Sequence, residues 1–133
     1  MSSMFSNCYE LISLDLSNFK TNNVTDMSYM FNRSYKLKEI KGINKFNTNN
    51  VTSMNSIFAY CYELISLDLS NFNTTKVTDM SYIFNKCEKL RELNLLNFKI
   101  KKDCKIEMIF DLMNKKECNL ITNNQKLKDL YNS

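Results

Sequence analysis

The segment CYELISLDLSNF occupies residues 8–19 and returns unchanged at residues 61–72. Related versions fill the space between and after, so self-comparison is the decisive reading. Phe5, Phe31, Phe58, Phe84 and Phe110 form one column with steps of 26, 27, 26 and 26 residues. Phe19, Phe46, Phe72 and Phe98 form a second, Val24, Val51 and Val77 a third, and Met1, Met27, Met54 and Met80 a fourth. Columns that keep phase over four periods define a unit of about 26 residues.

Within a unit the hydrophobic period changes. The alternation Leu14-Asp15-Leu16 predicts a short strand with both leucines inward. After Phe19 comes a polar corner, TNNVT. Met27, Met30, Phe31 and Ser34 then stand at i, i+3, i+4 and i+7, the spacing of one helical face. Thr25 or Asp26 precedes that run and suits a helix N-cap. In KEIKGINKF the only glycine of the chain, Gly42, is one residue extra, which predicts a bulge that returns Ile43 to the leucine column.

These units predict an α/β repeat solenoid, a leucine-rich-repeat stack of about four turns over residues 1–98, starting near Met1, Met27, Met54 and Met80. A short parallel sheet would line one face and short helical segments the other, because a single unit cannot bury its apolar face alone. Residues 99–133 leave the pattern. Ile106, Ile109, Phe110 and Met113 lie at helical spacing, and Leu127, Leu130 and Tyr131 repeat that logic, which predicts a C-terminal helical cap. At the other end Met1 is already in register, so the first turn is expected to lie open. That reading makes the chain a fragment or one reading frame of a longer protein, or else predicts self-association through the uncapped N-terminal turn.

The units MSSMFSNCYELISLDLSNFKTNNVTD and MNSIFAYCYELISLDLSNFNTTKVTD resemble the BspA-like leucine-rich-repeat surface proteins, whose repeat of about 26 residues also occurs as a bacterial domain of unknown function and in mycoplasma lipoproteins. The resemblance covers residues 1–98 and implies a surface or secreted module used in adhesion or partner binding, with no catalytic residues. The chain begins without a signal peptide, which keeps a cytoplasmic location open.

Composition narrows the function further. The net charge of +4 is small, and no basic stripe with interleaved aromatics appears, so nucleic acid is not expected as a partner. No apolar run approaches a membrane span. The sequence holds no His, the commonest general base and metal ligand, and no Gly-rich phosphate loop or nucleophile elbow. No enzyme activity, cofactor or metal is therefore expected. Cys8, Cys61 and Cys87 share a column with Ser34 and read as small buried residues. A Cys61–Cys87 bridge would need an oxidising compartment. Asn23-Val24-Thr25, Asn50-Val51-Thr52, Asn73-Thr74-Thr75 and Asn32-Arg33-Ser34 are acceptor sequons whose recurrence points first to turns and caps.

Two sets of side chains remain as a partner-contact surface. Asp15, Lys41, Asp68 and Asn94 follow one another on the outward side of the strands. Tyr9, Tyr35 and Tyr62 follow the Cys column, with Glu88 in the fourth place. Amphipathic aromatics on a stripe suit protein or glycan contacts. The expected function is thus a non-enzymatic protein- or glycan-binding adhesion module, the alternative being a structural or truncated piece with no activity of its own.

Overall fold

A computed structural model describes residues 1–133. Its regular structure is sparse. Strands β1 (Ser13–Asp15) and β2 (Glu39–Lys41) form one parallel sheet, and β3 (Ser66–Asp68), β4 (Glu92–Asn94) and β5 (Asn119–Ile121) form another. Leu14 pairs with Ile40 in the first sheet; Leu67, Leu93 and Leu120 align in the second. Each strand turns its central residue inward and its flanks outward, the outward positions being Ser, Glu, Asp, Lys, Asn and Ile, all exposed but the half-buried Asn94. The one α-helix, α1 (Gln125–Asn132), starts at Asn124, whose side chain accepts the Leu127 N–H at 3.1 Å.

The leucine-rich-repeat solenoid expected from the sequence is not what this fold contains. There are two small sheets of three-residue strands in place of one sheet along a face, and no helical segments opposite them. The run Met27–Ser34 explains the error. Tyr29 and Arg33 sit at φ 57° and 59°, in the left-handed region. Met30, Asn32 and Ser34 donate three residues back, at 3.3, 3.1 and 3.1 Å. The alternate N–H groups of Tyr29, Phe31 and Arg33 instead reach the carbonyls of Asn55, Ile57 and Ala59, each at 2.9 Å. A helix needs every N–H to bond within its own turn. Two left-handed residues cost about 1–2 kcal/mol each, while three bonds to the neighbouring segment return roughly 0.5–1.5 kcal/mol each. Burial of Met27, Met30 and Phe31 supplies the remainder. The same turn chemistry recurs at residues 105–113, where Met108 and Leu112 are left-handed, so no helix forms there either. Spacing alone did not separate the two because both geometries place residues three and four apart on one side.

Residues about 26 apart lie side by side, which builds the core from like residues. Phe5, Phe31, Phe58, Phe84 and Phe110 are ring-stacked with centroids 5.7, 5.5, 6.0 and 6.0 Å apart. Buried Thr21, Thr48 and Thr74 tie segments together where no strand pairing exists. The Thr48 hydroxyl donates to the Asn73 carbonyl at 3.1 Å and accepts the Asn73 N–H at 2.8 Å. Thr21 makes the same two bonds with Asn47, and Thr74 with Lys99. Gly42 follows β2 at φ 78° and opens a 3-10 turn, Ile43–Lys45, that buries Ile43. A Cβ on Gly42 would lie 2.5 Å from the Ser17 N and Cα atoms, so the backbone closes there as only Gly allows.

Candidate interaction face

The tyrosine set and the strand set have different fates. Tyr9, Tyr35 and Tyr62 form a continuous ladder, with ring centroids 5.0 and 5.2 Å apart and planes tilted by 26° and 28°. Each ring follows a residue that is buried, Ser34 or Cys61, or half-buried, Cys8, so its position is set by the core beneath it. Tyr9 is 46% exposed, and beside the ladder stand Ile12 at 58% and Ile65 at 50%. An open groove of about 410 Å³ is lined by Ile12, Tyr35, Lys36, Lys38, Tyr62 and Glu63.

Charges border the ladder in opposite-sign pairs. Lys36 Nζ lies 2.6 Å from Glu10, and Lys89 Nζ lies 2.7 and 2.9 Å from the two oxygens of Glu63. The hydrogen bond from Lys89, aided by the fields of Lys89 and Lys38, holds the Glu63 carboxyl below its ordinary range against a small desolvation effect. Such exposed pairs contribute little to stability, about 0–1 kcal/mol each. Tyr60, which sequence reasoning passed over, meets Tyr62 edge-on at 6.2 Å and carries Arg33 and Lys86 over its ring at 5.7 and 5.0 Å. The signal for it was weak, because the same column holds Asn7, Arg33 and Lys86.

Asp15, Lys41, Asp68 and Asn94 are not joined in one sheet. Asp15 pairs with Lys41 in the first sheet and Asp68 with Asn94 in the second, and the sheets separate between β2 and β3, beside Gly42. Three of the four close turns: Asp15, Asp68 and Asn94 accept the N–H groups of Ser17, Ser70 and Leu96 at 2.9, 3.1 and 3.1 Å. Hydrogen bonds from Ser17, with the fields of Lys41 and Lys45, lower the Asp15 carboxyl.

All five cysteines are free thiols, so Cys61 and Cys87 are not bridged. Cys61 and Cys87 donate to the carbonyls of Phe31 and Phe58 at 3.2 Å, and Ser34 donates to Phe5 at 2.8 Å. Burial pushes the Cys61 thiol up to about 12 and raises Cys87 as well. No three acidic or thiol side chains gather in a metal-binding arrangement.

The chain belongs to the family described as Mycoplasma protein of unknown function, DUF285, whose model matches residues 1–124. That match replaces the resemblance to BspA-like leucine-rich-repeat surface proteins, and with it the leucine-rich-repeat and solenoid descriptions. Comparisons with curated proteins and with solved structures return no match. No helix is long and apolar enough to cross a membrane.

Proposed function

We propose that this chain is a non-enzymatic binding module whose contact surface is the Tyr9–Tyr35–Tyr62 ladder with Ile12, Lys38 and Ile65. The observation that carries the reading is the ladder itself: large amphipathic rings held in line at the surface, beside exposed isoleucines that no neighbour covers. Rigid aromatics of this kind bury much area at small entropic cost, which is how binding surfaces use them.

The geometry favours protein over glycan. A sugar stacks on a free ring face, but both faces of Tyr35 are occupied by Tyr9 and Tyr62. Between its ends the ladder offers ring edges rather than faces. The strand carboxylates Asp15 and Asp68 are engaged in turns, which supports a binding role over acid–base chemistry. The nucleic-acid reading gains no support from a face where Lys36 and Lys89 are neutralised by Glu10 and Glu63. A cell-surface site of action is part of this proposal, and proteolysis of intact cells, followed by blotting for the chain, checks it.

The test is binding of the purified chain to a panel of proteins and of free glycans by interferometry. The reading expects a protein ligand whose affinity falls about tenfold or more in Tyr35→Ala. Ligands confined to glycans, or binding indifferent to Tyr35 and Tyr62, would contradict it.

A further inference from the structure

We infer that the tyrosine-ladder face binds a second copy of this chain, in an antiparallel, two-fold arrangement whose axis crosses the ladder between Tyr35 and Tyr62. The inference rests on the binding reading above and names its partner. Its basis is the order of charges beside the ladder. Glu10, Lys36, Glu63 and Lys89 occupy equivalent places on successive segments, and the sequence of signs is minus, plus, minus, plus.

A two-fold axis lying in the interface and across the ladder reverses that order while keeping each column opposite itself. Glu10 then faces Lys89 of the second copy, and Lys36 faces its Glu63. All four contacts join opposite charges. The neighbouring column also avoids like charges. Ile12, Lys38, Ile65 and Arg91 reverse to set each cation against an isoleucine, and Tyr35 meets Tyr62 at the centre. No like charges confront each other in these two columns. A parallel arrangement of the same faces would instead set Glu10 against Glu10 and Lys36 against Lys36. Electrostatic complementarity selects among orientations in this way. The intramolecular pairs leave these groups in reach: the Lys36 and Glu10 side chains are 56% and 82% exposed, and those of Lys89 and Glu63 58% and 30%. Each carboxylate retains lone pairs for a second ammonium.

The sign pattern supplies a specific experiment. Lys36→Glu and Glu63→Lys each place two like-charge contacts in the homodimer. Between the two variants, however, every contact is again of opposite sign. Sedimentation velocity over a concentration series should show a wild-type dimer that weakens with added salt. Each single variant should dimerise about tenfold or more weakly, and the equimolar mixture should recover wild-type association. Thermal unfolding of each variant confirms that it folds. Should a reversal prevent folding, the neutral Lys36→Gln and Glu63→Gln read the same contacts through weakened dimerisation. A wild type that stays monomeric, a dimer indifferent to the reversals, or a mixture that remains monomeric would overturn the inference. A monomer that still binds another protein through Tyr35 would overturn this inference and leave the binding reading standing.

Discussion

The Cys61 thiol donates to the Phe31 carbonyl oxygen at 3.2 Å, on the segment before its own. Ser34 and Cys87 make the equivalent bonds to Phe5 and Phe58, so this column needs a small side chain with one donor. Cys61→Ser keeps this donor and should be the milder change, while Cys61→Ala removes one of the two donors to the Phe31 carbonyl, which keeps the Ser34 N–H at 3.1 Å, and should cost about 0.5–1.5 kcal/mol. Urea unfolding of the two variants checks the difference.

The same thiols make the fold sensitive to alkali. In the folded chain burial raises Cys61 from the ordinary 9.0 to about 12, and Cys87 also moves upward. The unfolded chain thus loses these protons first as pH rises. Their contribution is intact below about pH 9 and declines from there toward pH 12. The double variant Cys61→Ser/Cys87→Ser should show a flatter loss of stability over that window than the wild type in paired unfolding curves. Parallel curves for the two proteins would count against the assignment.

Gly42 holds the place where the two sheets part. Gly42→Ala forces a left-handed residue to carry a Cβ, costing about 1–2 kcal/mol, and the Ser17 backbone must also move. The loss in thermal stability should exceed that of Ala at an ordinary exposed site, and calorimetry measures it.

The buried threonines replace backbone rungs. Thr48→Val keeps the shape but deletes a hydroxyl that both donates and accepts across to Asn73. The expected loss is about 1–3 kcal/mol, with faster amide exchange at Asn73, whose N–H has that hydroxyl as its partner. Unchanged protection at Asn73 would refute the account of the rung.

The sequence made the columns legible and misjudged what joins them. Phe31, Phe58 and Phe84 stack because residues 26 or 27 apart are adjacent, which spacing alone predicts. Helix and paired turns share the i, i+3, i+4 pattern, so the spacing of Met27–Ser34 predicts a helix where Tyr29 and Arg33 are in fact left-handed. Neither residue type announces that conformation. Likewise Gly42 was visible as an insertion, but not as the point beside which the pairing between β2 and β3 lapses. On the surface, the Tyr9–Tyr35–Tyr62 column was found from its spacing. Tyr60 was missed because it fits no aromatic column, and the outward Asp15 and Asp68 gave no sign that their oxygens close turns.

The central claim, that the tyrosine ladder is a protein-binding face, is tested most directly by placing a photo-crosslinking amino acid at Tyr35 and, separately, at Tyr82 away from the ladder. Irradiation of the folded chain with a bound protein partner, a second copy included, should yield an adduct from position 35 that Tyr62→Ala diminishes, and little from position 82. Equal adducts from both positions, or adducts from position 82 alone, would contradict the account.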